Sequence, residues 1–274
     1  MQYELFPPER ISFFSLSSGS CGNSYYLGNT HWGILIDAGI GPRIIKKRLA
    51  QYGIDLSSIM AILVTHDHFD HIKSVGYLGE KLHIPVYATH EVHRAIINHP
   101  LIRNSLNGST VYIEKGKPFQ IEDFQITAFN VPHDSVDNSG YFICFGDHRF
   151  TLATDVGTIT DEVAYYICKA NHLVIESNYD EEMPNNGRYP YHLKQRICSG
   201  SGHLSNRQTA EFLANNYSSD LRNIWLCHLS GDNNNPELAY RTVETHLTRK
   251  GIKVGKQVSL QVLQRNILSS KTDF

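Results

Sequence analysis

Met60-Ala61-Ile62-Leu63-Val64-Thr65-His66-Asp67-His68-Phe69-Asp70-His71 passes from an apolar run into six residues carrying three imidazoles and two carboxylates. An uninterrupted apolar run of this length predicts a strand buried on both faces. Polar groups crowded at the end of such a strand are costly unless something satisfies them. Neutral imidazole nitrogen and ionised carboxylate are the donors that borderline divalent cations prefer. Alternate side chains of an extended segment project together. His66 and His68 can therefore grip one ion, while Asp70 and His71, a turn further on, face a second. The plain alternative is a polar loop with an accidental, tag-like cluster.

Three more strand-like runs end in the same way. Residues 124–131 lead to Pro132-His133, 149–153 to Thr154-Asp155, and 223–227 to His228. A histidine after one strand is an ordinary polar exit. Four strands that each deliver a metal-competent side chain at the C-terminal end predict a shared rim. On that reading His66, His68 and His133 hold one metal and Asp70, His71 and His228 hold another. Asp155 bridges them, with a water in the remaining shared position. Two ions about 3.5–4 Å apart lower the pKa of such a water and steady the oxygens of a displacement. By ligand type the pair suits Zn²⁺ or Mn²⁺, with Fe also accommodated. Asp37 follows Ile34-Leu35-Ile36 and either caps the helix predicted over 42–51 or orients the metal loop as an acceptor.

The remaining pattern alternates sheet and helix. Strands are expected over 11–16, 24–27, 31–37, 84–88, 111–113, 141–145 and 173–175, and helices over 72–82, 91–98 and 206–216. His90, His93 and His99 read as surface histidines and Lys46-Lys47-Arg48 as an exposed helix face. The chain of 274 residues is 41% hydrophobic with a formal charge of −2, so no global basic field advertises a polyanion. Its five cysteines are scattered without a CxxC pair, which fits neither a disulfide framework nor a zinc finger. The N-terminus lacks a basic segment followed by an apolar one, and no apolar stretch approaches the roughly 20 residues of a membrane span. A cytoplasmic protein without a membrane partner is the expectation.

Asp37, His66-x-His68-x-Asp70-His71, His133, Asp155 and His228 resemble, in order, the motif set of the metallo-β-lactamase superfamily. The resemblance implies a four-layer αβ/βα sandwich (α/β, or α+β) with a dinuclear site at one edge of the paired sheets. Ser17-Ser18-Gly19-Ser20-Cys21-Gly22-Asn23-Ser24, Leu152-Ala153-Thr154-Asp155, Glu176-Ser177-Asn178, Gly187-Arg188-Tyr189-Pro190, Gly202-His203-Leu204-Ser205-Asn206, His228-Leu229-Ser230 and Pro236-Glu237-Leu238-Ala239-Tyr240 look like its YycJ/WalJ branch. That likeness implies a metal-dependent exonuclease that degrades double-stranded DNA from the 5′ end, linked to mismatch repair. The β-CASP nucleases carry a long insert between the residues matching Asp155 and His228. Only 72 residues (156–227) lie there, so a single domain over 1–274 without that insert is expected.

The 183–210 segment holds Arg188, Lys194, Arg196 and Arg207 and not one Asp or Glu. It reads as a phosphate clamp, with Tyr189 and Tyr191 placed to stack on a base or sugar. A solvated face whose arginines pair with distant carboxylates is the bland counterpart. Ser20 and Asn23, in the hydroxyl- and glycine-rich 17–23 loop, either receive a phosphate oxygen or stabilise a tight turn. His203 can protonate a leaving oxygen if Glu176 holds its imidazolium. The pair looks like the Glu–His arrangement of tRNase Z, and the same segment also serves as the start of a helix capped by Ser205. The expected catalytic groups are thus Asp70, His203, Glu176 and Asp37, in a two-metal phosphodiesterase acting on nucleic acid, DNA above others. An RNA-processing enzyme, a hydrolase of small phosphodiesters or thioesters, and a non-catalytic metal-binding module are the alternatives.

Overall fold

The computed structural model describes residues 10–106, 108–182 and 200–274. One sheet contains β1 (Ser12–Ser17), β2 (Ser24–Gly28), β3 (Gly33–Ile36), β4 (Ile59–Leu63), β5 (Val86–Ala88), β6 (Thr110–Tyr112) and the short β14 (Thr272–Asp273), in the order β14-β1-β2-β3-β4-β5-β6. The other contains β7 (Phe119–Ile121), β8 (Phe124–Asn130), β9 (Ser139–Phe145), β10 (His148–Ala153), β11 (His172–Glu176), β12 (Asn223–Cys227) and β13 (Ser259–Val262), with neighbours in sequence order. Strands β3 to β6 are mutually parallel, as are β10 to β13.

Both faces of the central strands β3, β11 and β12 are buried, which is why their middles, Ile34-Leu35-Ile36, Leu173-Val174-Ile175 and Ile224-Trp225-Leu226, are continuously apolar. Successive side chains point to opposite faces. Phe13, Tyr25, Ile34 and Ile36 therefore meet Ile126, Tyr141, Phe150 and Trp225 between the sheets. Their neighbours Phe14, Tyr26 and Leu35 pack outward on α1 (Pro42–Ala50), α3 (Val75–Leu82) and α4 (His90–Asn98). Behind the second sheet, Leu173, Ile175, Ile224 and Leu226 pack on α5 (Asp161–Lys169), α6 (Asn206–Asn215) and α7 (Pro236–Arg249) through Ile167, Leu213, Val243 and Leu247. The result is the four-layer αβ/βα sandwich. Phe13 and Trp225, with ring centroids 4.5 Å apart, join the sheets at its centre.

Several expectations change here. The helix expected over 72–82 is preceded by a separate turn, α2 (Phe69–Ile72), and begins only at Val75. Ser74 between them gives its N–H to Ala38 O and its hydroxyl to Ile40 O, docking the metal loop onto the segment after β3. His93 is not a surface residue: it is 1% exposed, with Nε2 on Val111 O. Arg48 does not lie on a free helix face, because it donates to the carbonyls of Leu16 and Asn266. Helix α7, not among the expected helices, carries Ala239, Val243 and Leu247 at four-residue spacing behind the Asn235 cap.

At the edge where β10 and β11 begin, His148 Nδ1 meets His172 Nε2 at 2.9 Å, and His172 Nδ1 lies 2.9 Å from Asn223 Nδ2. Burial, reinforced by His148 and Arg222, pushes His172 down to about 3. The unfolded chain takes up that proton near pH 6.5 and the folded one only near 3, so acid favours unfolding across that window and has no such effect above it. We expect His172→Gln to be less stable than wild type at pH 7. The gap should shrink by up to about 1.4 kcal/mol per pH unit below 6.5. Urea midpoints of both proteins at pH 7 and pH 5 check this, and a gap independent of pH would mean that His172 titrates normally.

Candidate metal centre

At the opposite edge, β4, β8, β10, β11 and β12 all end, and the two sheets are tied together. Ser139 N–H donates to Thr65 O at 3.0 Å, Tyr141 O–H to Val64 O at 2.6 Å, and His228 N–H to Ser18 Oγ at 2.9 Å. Three non-glycine residues at this rim have left-handed backbones: Asp37 at φ 60°, Asp155 at φ 53° and His228 at φ 55°. Each such residue costs about 1 kcal/mol or more. All three turn sharply out of a strand end, which brings their side chains back over the rim.

The sequence-flagged residues converge. His66, His68 and His133 form one group, and Asp70, His71 and His228 another. His66, His71 and Asp155 link them, with ligand atoms in each group within 4.8 Å of one another. Asp155 Oδ1 lies 3.3 Å from His228 Nδ1 and 3.6 Å from His133 Nε2, and its Oδ2 lies 3.3 Å from His71 Nε2. Burial would raise the Asp155 carboxyl, but the imidazoles around it, His228 and His71 foremost, hold it well below the usual range. Burial also keeps His66 and His133 below theirs, so both present neutral rings. His71, despite its burial, is pushed up to about 9 by Asp155, Asp37 and Asp70. Carboxylate charge of this density inside the protein calls for a cation.

Hydrogen bonds behind the cluster orient the rings. His71 Nδ1 donates to Asp37 Oδ2 at 2.7 Å, and His133 Nδ1 donates to Gly202 O at 3.0 Å. His66 Nδ1 lies 3.0 Å from Thr65 Oγ1, whose own proton goes to Asp37. Nδ1–H donation leaves the Nε2 lone pair free for a metal. His66 Nε2, His133 Nε2 and His228 Nε2 are buried and make no hydrogen bond with any described residue; the carboxylates of Asp134 at 3.2 Å and Asp70 at 3.6 Å come near the last two. Buried orphans of this kind are costly in a metal-free protein, so the donor set fits divalent cations.

Asp37 thus serves the metal loop; Gly41, without a side-chain bond, stands at the helix cap instead. Asp67 is turned away, accepting Val136 N–H at 3.2 Å. Gly39 leaves room for the loop to dock, since a Cβ there would sit 1.6 Å from Asp70 O. Glu176 is fully buried and accepts at both oxygens: Oε1 from His203 Nδ1 at 2.8 Å and His228 Nδ1 at 2.9 Å, Oε2 from Val156 N–H and Leu204 N–H. Burial would depress the His203 imidazole, but Glu176 outweighs it and holds the ring above its ordinary value. Ser205 also caps α6 in a capping box with Gln208, so His203 sits beside the site at the start of a helix.

Three expected phosphate contacts, Arg188, Lys194 and Arg196, lie outside the described residues. Arg207 is exposed but engaged by Glu211 at 2.7 Å and Glu181 at 3.8 Å, carboxylates that flank the acid-free stretch. Asn23 does not face a substrate. It is fully buried, accepts Gly19 N–H at 2.7 Å and approaches His71 Nε2 at 2.9 Å and Asp70 Oδ2 at 3.2 Å, so its amide is consumed in bracing the loop. Ser20 is exposed at the loop's tip. Sequence reasoning missed Asn178, whose Nδ2 donates to His228 O at 2.7 Å; its position just after β11 was the available signal.

A family profile described as "Beta-lactamase superfamily domain" matches residues 32–221. The chain belongs to this superfamily, within its metallo-β-lactamase-fold hydrolases, and is a metal-dependent hydrolase. It is 35% identical over 246 residues to "Exodeoxyribonuclease YycJ" of Bacillus anthracis, covering 90% of this chain and 92% of that protein. It is 36% identical over 240 residues to "Exodeoxyribonuclease WalJ" of Streptococcus pneumoniae serotype 2 (strain D39), covering 88% and 89%. These relatives place it on the YycJ/WalJ-like branch. In fold it resembles the metallo-β-lactamase fold protein YhfI from Bacillus subtilis, with a TM-score of 0.71 at 14% identity over 97% of this chain and 100% of that one.

Replacing Asp37 by Asn removes one acceptor from beneath His71 and Thr65 while keeping the volume. We expect stability to drop by about 1–3 kcal/mol and metal affinity by about 10- to 100-fold. Gly39→Ala should act more severely, because the clash is with backbone. Metal analysis after dialysis, alongside urea unfolding, reads both effects.

Proposed function

We propose that this chain is a dinuclear phosphodiesterase that degrades double-stranded DNA from its 5′ end, in DNA repair. The observation that carries the reading is Asp155, whose carboxylate contacts ring nitrogens of both histidine groups at once. The names of the two relatives, exodeoxyribonucleases that match almost the whole chain, support the substrate class.

In this reading His66, His68 and His133 would hold one ion, Asp70, His71 and His228 would hold a second, and Asp155 would supply a carboxylate to the pair; Zn²⁺ and Mn²⁺ fit the donors, as does Fe. Two ions there would lower the pKa of a shared water and neutralise charge on the phosphoryl oxygens. Asp37 and Thr65 keep the rings of His71 and His66 aimed. His203, protonated through its contact with Glu176, gives its proton to the departing oxygen. Glu176 stays buried and ionised, because two backbone N–H groups and two imidazoles surround it. No helix among the described residues is long and apolar enough to cross a membrane.

Asp155→Ala and His68→Ala should each abolish hydrolysis and lose metal together. His203→Ala should slow turnover by about 10²- to 10⁴-fold with metal content intact; loss of metal in that variant would remove His203 from the proton-transfer role. Duplex DNA labelled at each end in turn, matched RNA and bis(p-nitrophenyl) phosphate, each with Mn²⁺ or Zn²⁺, test substrate and polarity. Cleavage of RNA in preference to DNA would overturn the substrate assignment, and a full metal load without any hydrolysis would overturn the enzyme.

A further inference from the structure

The loop after β13 is fastened to the rim of the metal site. Ser18 N–H donates to Gln264 O at 3.2 Å, Asn266 N–H to Ser17 Oγ at 3.1 Å, and Leu263 N–H to Leu226 O at 2.8 Å. Ser18 is also the residue whose hydroxyl receives the N–H of His228. Asn266, in a left-handed conformation at φ 57°, accepts from Arg48, which fixes the loop from its far side. The residue held between these anchors is Arg265.

Its side chain lies in a slot made by two glycines. A Cβ on Gly19 would fall 2.3 Å from Arg265 Cγ and 2.7 Å from Cδ; one on Gly231 would fall 1.9 Å from Nη1 and 2.9 Å from Cζ. The methylenes therefore cross the 17–23 loop, and the guanidinium lies over the segment that follows His228. Arg149, Arg207 and Arg241 each spend their charge on a carboxylate. Arg265 is exposed and makes no hydrogen bond or ion pair with any described residue. A cavity of about 170 Å³, lined by Arg265 with Leu229, Ser230, Asn234, Pro236 and Gln264, lies beside it.

We propose that Arg265 is a substrate-positioning residue whose guanidinium takes a backbone phosphate of the bound nucleic-acid strand next to the one being cut. The proposal rests on the phosphodiesterase reading above. A polyanion entering this rim meets the carboxylates of the cluster, and one phosphate on the metals leaves its neighbours uncompensated. A planar, permanently charged fork grips phosphate oxygens through paired N–H bonds. Contacts of this kind set the register of a strand without reading its bases. The glycines are what allow the fork to lie against the segment that follows His228.

The metal-loaded wild type is compared with Arg265→Gln, Arg265→Lys and Gly231→Ala, using labelled duplex DNA and bis(p-nitrophenyl) phosphate. Arg265→Gln should raise KM for duplex about tenfold, with a much smaller change in kcat. It should also flatten the dependence of log binding constant on log salt by about one unit. The loss on duplex should exceed the loss on the small diester by about tenfold, and Arg265→Lys should recover part of it. Gly231→Ala, which keeps the charge but pushes it aside, should imitate Arg265→Gln. Equal losses on both substrates, or an unchanged salt slope, would overturn the proposal. If wild type hydrolyses neither substrate, the phosphodiesterase reading falls instead. Filter binding of the duplex then still decides on the arginine, through the salt slopes of wild type and Arg265→Gln.

Discussion

The carboxylate of Asp155, buried among four imidazoles, is the constraint on which this rim is built. An ionised group removed from water is tolerated only with opposite charge and hydrogen bonds around it. Here the charge comes from His71 and His228 and the rest of the shell from the rings of His66 and His133, residues that follow strands far apart in the chain, β4, β8 and β12. Each of these strands must end at the same edge, at the same height, for the charge to be balanced. The two-sheet sandwich meets that demand because parallel strands packed face to face share an edge where all their C-terminal ends emerge.

Strain and burial are concentrated at that edge. Asp37, Asp155 and His228 adopt left-handed backbones that β strands do not favour, and the orphaned Nε2 atoms of His66, His133 and His228 lie among them. The apolar layers on both sides of each sheet hold the unfavourable elements in place. Behind the rings, Asp37 and Glu176 play parallel parts. Each is a fully buried carboxylate that accepts from an imidazole Nδ1 and from backbone N–H, one beneath each sheet's contribution to the site.

Glu176 differs from Asp37 in serving two rings with one oxygen. Because Oε1 touches both His203 and His228, the protonation of His203 and the aim of His228 share an anchor. Geometry therefore joins the group proposed to transfer a proton to the metal-facing rim. The surrounding cations are arranged unevenly. Arg207 is balanced by the glutamates at either side of the acid-free stretch, whereas Arg265 stands over glycine with its charge unspent.

The order and type of the rim residues, and the strands that end in them, were legible in the sequence, because coordination chemistry is a property of side-chain type and strand ends are marked by apolar runs. So was the pairing of His203 with Glu176, one of two readings of that segment and the one suggested by the likeness to the Glu–His arrangement of tRNase Z; the two side chains lie 2.8 Å apart. The partners of Asn23, the burial of His93, the anchoring of Arg48 and the position of Arg265 were not. Each depends on a neighbour supplied by another element: Asp70 for Asn23, Val111 for His93, Asn266 for Arg48, Gly19 and Gly231 for Arg265. A linear pattern records what a residue can bind. Only the packed chain decides which of those partners stands within 3 Å, because that distance is set by how the sheets and loops close around it.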